Sequence, residues 1–223
     1  MSVPRVGVLS LQGDFERHHA ALEALGAVAV RVTLPRDLED LGALVMPGGE
    51  STTMLRLLDA TGLRAPLERL VREIPVLGTC AGVILLASDA DHLPAPTLGA
   101  LDVSVDRNAY GRQIDSFSAE IETAVFEGPA WGVFIRAPRI RRMGPGVEVI
   151  ARRRLEDGSS EPVGVRQGKI VGLCFHPELT SDLRMHRWFL LEVAGLALPD
   201  GARGEREQAG RAAARSARPM EAA

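Results

Sequence analysis

The chain has 223 residues, a length that fits one large domain or two small ones. Hydrophobic residues make up 46% and charged residues 25%, ample apolar side chain to offset the entropy of folding, which excludes a wholly disordered protein. The net charge of −3 creates no global field for nucleic acid or acidic lipid. No apolar run reaches the roughly 18 residues needed to cross a bilayer. Met1-Ser2-Val3-Pro4-Arg5 lacks the basic and then apolar pattern of a secretory leader. The two cysteines, Cys80 and Cys174, are too few for a disulfide framework, so a reducing, cytoplasmic setting is expected.

Strand and helix signals alternate through the first half. Arg5 to Leu11 is a short β-rich run, followed by a helical stretch from Asp14 to Leu25 that stops at Gly26. Asp14 is the expected N-cap and Gly26 the left-handed residue beyond the C-terminus. Val28 to Val32 reads as a second strand and Ala43 to Met46 as a third, closed by Pro47-Gly48-Gly49. Helical patterns cover Ser51 to Asp59 and Leu63 to Arg72, and a fourth strand spans Pro75 to Gly78. Apolar strands separated by helices of this length predict an α/β fold: an open, mainly parallel sheet with helices on both faces.

The rhythm changes after Leu98. Leu98–Val105, Phe117–Glu122, Gly132–Ile135, Val147–Arg152, Pro162–Arg166 and Ile170–Phe175 read as strands with few helices between them. The Asp157-Gly158 step marks a hairpin turn. These segments are expected to add antiparallel strands to one edge of the sheet before the chain returns to its centre. A final amphipathic helix is expected over Asp182 to Leu196. From Pro199 onward apolar bulk disappears, so residues 1–198 are expected to form the domain and 199–223 a disordered tail.

The strongest chemical signal is Gly78-Thr79-Cys80-Ala81-Gly82, set between a strand and the helical run Val83–Ala87. This is the Gly-x-nucleophile-x-Gly pattern of a nucleophile elbow, with Cys in place of Ser. A sharp strand-to-helix turn strains the nucleophile's backbone, and side chains two positions away would collide. A thiol at a helix N-terminus also feels the positive end of the dipole, which favours the thiolate. The competing reading is a buried cysteine in a tight turn.

A thiolate nucleophile needs an acid/base partner, and His176, in His176-Pro177-Glu178 after the last strand, is the best of five histidines. The C-terminal edge of an open α/β sheet is where sites form. Glu178 is placed to hold one imidazole nitrogen and leave the other for the thiol. His18, His19, His92 and His186 are expected in surface or packing roles, although His18, near Leu11-Gln12-Gly13, is placed to face a partner. Cys174 is expected in the core. No Cys/His cluster has metal-ligand spacing. Pro47-Gly48-Gly49-Glu50-Ser51-Thr52 opens a helix at the same sheet edge. Its backbone N–H at Gly49, with that of Ala81, offers two halves of an oxyanion hole. A phosphate loop is the rival reading, but no Gly-Lys-Ser/Thr follows. The basic runs Arg136–Arg142 and Arg152–Arg154 carry no interleaved aromatics, which argues against nucleic-acid contacts, and Arg139–Arg142 and Arg152–Arg154 are expected to be solvated faces.

Together, the Cys80 elbow and His176-Pro177-Glu178 resemble the triad-type (class I) glutamine amidotransferases, which have a flavodoxin-like sheet. Five narrower motifs resemble the glutaminase subunits of pyridoxal 5′-phosphate synthases: Leu11-Gln12-Gly13, Pro47–Thr53, Arg107–Gln113, Phe134–Pro138 and Phe175–Thr180. The resemblance covers about residues 5 to 196. It implies Cys80 as nucleophile, His176 as acid/base and Glu178 as its orienter, with glutamine held by Gly49, Glu50, Ser51, Arg107, Ile135 and Arg136. The implied reaction is glutamine plus water giving glutamate and ammonia, with neither cofactor nor metal. The implied partner is a (β/α)₈-barrel synthase subunit that receives the ammonia, with Gln12 and the Gly48-Gly49 loop coupling the two. A glutaminase for another synthase, such as that for imidazole glycerol phosphate, is the nearest alternative. An elbow-type cysteine hydrolase or chaperone is further away. The Arg/Ala-rich tail and a long 152–162 hairpin depart from the family pattern without touching its motifs.

Overall fold

The computed structural model describes residues 3–107, 109 and 116–199. Among them the strands β1 (Arg5–Leu9), β2 (Val28–Val32), β3 (Ala43–Met46) and β4 (Val76–Thr79) alternate with helices α1 (Phe15–Ala24), α2 (Ser51–Ala60) and α3 (Arg64–Glu73). Helix α4 (Ala81–Leu86) leads to β5 (Ala87–Ala90) and β6 (Leu101–Asp106). Then come β7 (Phe117–Thr123), β8 (Ala130–Phe134), β9 (Arg139–Met143), β10 (Glu148–Arg154), β11 (Ser160–Gln167) and β12 (Ile170–Leu173). The chain closes with α5 (Arg184–Trp188), which runs into a π-helical turn at Phe189–Val193.

A nine-stranded sheet in the order β2-β1-β3-β4-β12-β11-β10-β7-β8 forms the frame. The first five strands are mutually parallel, and β11 joins β12 antiparallel to begin the added edge. Their sequences explain their positions. β3, β4 and β12 are buried along their whole length, as strands covered on both faces must be. β7 at the far side alternates buried or half-buried with exposed residues, the period of a sheet with one wet face. β12 returns to pair with β4 in parallel, with Leu173 opposite Thr79 and Gly172 opposite Gly78. This pairing sets the chain after β12 beside the chain after β4.

Several elements differ from the sequence-based expectation. β9 occupies a stretch expected to be a solvated basic face. It pairs with β6, which also pairs with β5, in a separate three-stranded sheet. Its Arg141 and Arg142 do reach outward, but they are ion-paired with Asp89, Asp106 and Asp102. Asp14 stands at the N-cap position of α1 without making a side-chain capping bond, whereas Gly26 adopts φ +81° after the helix, as expected. The final helix is not regular over Asp182 to Leu196 but widens at Phe189–Val193, where Phe189 and Leu190 are fully buried. The Asp157-Gly158 hairpin is present, with Gly158 at φ +83° and Arg154 opposite Ser160. Among the described residues no helix is long and apolar enough to cross a membrane.

Candidate active site

Three parallel strands end at one edge, and each delivers a piece of the site. Beyond β4, Cys80 takes φ +48° and ψ −107°, a strained backbone for a residue with a side chain. The strain is held in place from both sides. Cys80 N–H donates to Leu173 O at 2.8 Å, and α4 begins at the next residue. The flanking glycines are needed for close approach. A Cβ on Gly82 would overlap the Met46 carbonyl, and one on Gly78 would come within 2.9 Å of the Gly82 backbone. Cys80 is 5% exposed.

Beyond β12, His176 N–H donates to Val133 O at 2.8 Å, and Pro177–Leu179 forms a single 3₁₀ turn. The turn folds Glu178 back onto the histidine. His176 Nδ1 lies 2.7 Å from Glu178 Oε1, with both side chains buried. His176 Nε2 is buried and has no hydrogen-bond partner. The Cys80 thiol donates to the Ile135 carbonyl at 3.7 Å, and its sulfur lies close enough to the imidazole to act on it. Gly48, beyond β3, fills the space against both residues. A Cβ there would overlap the His176 ring and come within 3.2 Å of Cys80 Cβ.

The electrostatics follow from this packing. Burial of the His176 ring favours its neutral form, but the Cys80 sulfur and the Glu178 carboxylate outweigh it and raise the pKa to about 10. Burial likewise opposes the Glu178 charge, and His18 and His176 overcome it, holding the carboxyl well below the usual range. Cys174, fully buried, has its thiol pushed strongly up by burial, which leaves it inert as a nucleophile. The core placement expected for it agrees with the structure.

A cleft of about 270 Å³ opens in front of the sulfur, lined by Gly49, Glu50, Ser51, Arg107, Ile135 and Arg136 together with Gln12, Asp14, Cys80 and His176. Every glutamine-contact residue named from the sequence therefore lies on one cleft. Glu178 sits behind His176, and Ala81 begins α4, where its N–H lacks an intrahelical acceptor. Arg107 reaches in from the end of β6. Its guanidinium is 3.2 Å from Thr52 Oγ1, 3.5 Å from Glu50 Oε1 and 2.7 Å from the His92 carbonyl. Its Nε is buried without a partner. Asn108 and residues 110–113 of the same motif lie outside the described residues. Arg136, at φ +43°, is a second strained residue on the cleft. Glu50 caps α2 by accepting from Thr52 N–H at 3.0 Å and Thr53 N–H at 2.7 Å. Gln12 Oε1 accepts from Glu50 N–H at 2.6 Å, which ties the Leu11–Gly13 loop to the Gly48-Gly49 loop.

Two residues that the sequence reading assigned to packing or surface roles stand behind the site. His18 and His186 are fully buried, and His18 Nε2 lies 3.3 Å from Glu178 Oε2. His18 is on α1, 160 positions from Glu178 in the chain, and no local pattern links them; its nearness to Leu11-Gln12-Gly13 was the available signal. Among the described residues, one His/Cys/Asp/Glu group is compact enough for a metal ion: Asp14, His176 and Glu178, with ligand-type atoms within 4.8 Å of one another. His176 and Glu178 already use one ring nitrogen and one carboxylate oxygen on each other.

The fold is shared with solved structures. A crystal structure of a glutamine amidotransferase superposes with a TM-score of 0.77 at 49% identity, covering 86% of this chain and 99% of that one. The structure of PurLQS from Thermotoga maritima shares the fold at 18% identity and a TM-score of 0.60, over 86% of this chain and 99% of that one. The chain belongs to the SNO glutamine amidotransferase family, which matches residues 8–195. Among its relatives is "Pyridoxal 5′-phosphate synthase subunit PdxT" of Mycolicibacterium vanbaalenii, 48% identical over 200 residues that span 87% of this chain and all of that one. The subunit of the same name from Thermus thermophilus is 51% identical over 194 residues, 86% of this chain and 98% of that one.

Proposed function

We propose that this chain is the glutaminase subunit of a pyridoxal 5′-phosphate synthase, with Cys80, His176 and Glu178 as its catalytic triad. The observation that carries the reading is the strained Cys80 beside an imidazole whose far nitrogen is held by Glu178 at 2.7 Å, in a chain whose relatives bear that subunit's name.

The Cys80 thiolate attacks the side-chain amide carbon of glutamine. The oxygen of the tetrahedral intermediate is held by the N–H groups of Gly49 and Ala81. His176, as imidazolium, gives its Nε2 proton to the amide nitrogen, the C–N bond breaks, and ammonia leaves a thioester on Cys80. Water then gives a proton to the now neutral His176 and attacks the thioester; the thiolate departs and glutamate is released. Glu178 stays ionised throughout and keeps the ring oriented. Arg107 offers the substrate's α-carboxylate a planar fork. Glu50, Ser51, Ile135 and Arg136 complete the glutamine contacts.

The ammonia passes to a (β/α)₈-barrel synthase subunit. Gln12, through its bond to Glu50 N–H, and the Gly48-Gly49 loop couple docking to the oxyanion hole. Two free cysteines suit a cytoplasmic location. The test is ammonia release from glutamine with and without the synthase subunit. A sharp rise on adding that subunit, absent in Cys80→Ala, is expected; equal release by wild type and Cys80→Ala would refute the assignment.

A further inference from the structure

Each oxygen of Glu178 faces a histidine, and the mechanism above uses one of the two contacts. Oε1 meets His176. Oε2 is buried with no aligned hydrogen bond, and what faces it is His18 Nε2 at 3.3 Å, both side chains fully inaccessible. The same nitrogen lies 3.2 Å from the hydroxyl of Thr79, the residue before the nucleophile. On its other side, His18 Nδ1 lies 3.0 Å from His186 Nε2 on α5. His186 Nδ1 is buried without a partner. Three elements distant in sequence thus meet behind the catalytic histidine.

The unpartnered nitrogen decides where the protons sit. Burial is the main cause holding His186 neutral, with a pKa near 3, so the ring carries one proton. A buried N–H left without an acceptor is the rarer and costlier orphan, and a bare lone pair the more tolerable one. His186 therefore carries its proton on Nε2 and donates it to His18 Nδ1. His18 in turn carries its proton on Nε2, directed at Glu178 Oε2 and Thr79 Oγ1.

We propose that His18 is a positioning residue of the glutaminase: its Nε2–H fixes the Glu178 oxygen that His176 does not use, and His186 fixes the tautomer that makes this possible. A carboxylate held at one oxygen swings about its terminal bond and carries the catalytic ring with it. One held at both does not. Partners that orient a histidine at a metal centre cost about 10–100-fold in affinity or activity when removed, and the same scale is expected here. The proposal rests on the triad reading above.

The test compares His18→Leu, which removes the donor, with His18→Gln, which keeps an amide N–H at similar reach, in glutamine hydrolysis with the synthase subunit present. His18→Leu is expected to lower kcat about 10–100-fold with KM within about twofold, and His18→Gln to restore most of the rate. A wild-type kcat in His18→Leu, a loss confined to KM, or equal kcat in the two variants would overturn the proposal. If His18→Leu does not fold, His186→Leu carries the test: a severalfold lower kcat at unchanged KM supports it, and a wild-type kcat contradicts it. Residual hydrolysis by Cys80→Ala would instead break the triad reading, so the two failures are distinguishable.

Discussion

Arg107 shows how much a single side chain's shape matters in this cleft. Its guanidinium spans Thr52, Glu50 and the His92 carbonyl at once, using the planar, multi-donor geometry that lysine lacks. Arg107→Lys keeps the charge and loses the fork. We expect KM for glutamine to rise about tenfold, the scale of one charge-assisted hydrogen bond, with kcat changed much less. Steady-state kinetics check this; a variant that loses kcat at unchanged KM would place Arg107 in the chemistry and not in substrate binding. At the same scale, the triad was legible because its spacing is local: Gly78-x-Cys80-x-Gly82 and His176-Pro177-Glu178 each sit within five residues. The contribution of His18 was not, because contact with Glu178 is made only by folding.

Helix α2 illustrates a second level, where one residue serves both an element and the site. Glu50 accepts two backbone N–H groups at the helix start and also faces Arg107 at 3.5 Å. Burial opposes its charge, but the Thr53 hydroxyl and the Thr53 and Thr52 N–H groups outweigh it and depress the pKa from 4.5 to about 2. The folded form thus binds the proton more weakly than the unfolded chain does. The stabilisation is fully present above about pH 4.5 and is lost as pH falls towards 2. The side chain is 39% exposed, so solvent keeps the contribution small. Glu50→Ala should cost about 1 kcal/mol at neutral pH, as lost caps do. The gap between wild type and variant should narrow in denaturant unfolding as pH drops from 5 to 3. A gap that widens on acidification would contradict the capping role.

Other elements were harder to read. β2 and β3 match their sequence expectation to the residue, because short runs rich in valine or wholly apolar and bounded by turns admit one reading. β9 escaped it, since Arg139-Ile140-Arg141-Arg142-Met143 offers one inward residue and its charges are met by Glu161 of β11 and by aspartates from β5 and β6. The π-helical turn at Phe189–Val193 escaped it too, since a widened turn keeps the amphipathic pattern of a regular helix.

For the molecule as a whole, the parallel sheet edge brings residues near 49, 80 and 176 together, and the chain beyond β6 and β8 adds Arg107 and Arg136 to the same cleft. We propose that this is one domain ending near residue 198. Leu198 is 5% exposed, and a Cβ on Gly26 would lie 2.9 Å from Pro199, so the described chain is packed to that point. Ending the protein after Pro199 should leave the melting temperature and glutaminase rate unchanged. Ending it before Leu198 should lower the melting temperature by several degrees, since burying a leucine contributes about 1.5–3 kcal/mol. A fall on removing residues 200–223 alone would show that the folded unit extends further.

Cys80 as the nucleophile of a glutamine site is the central claim. The most direct measurement is mass-spectrometric mapping of the adduct formed with an electrophilic glutamine analogue, with the synthase subunit present. A single adduct on Cys80, suppressed by excess glutamine, is the predicted result. An adduct on Cys174, or Cys80 labelling that glutamine does not slow, would contradict it.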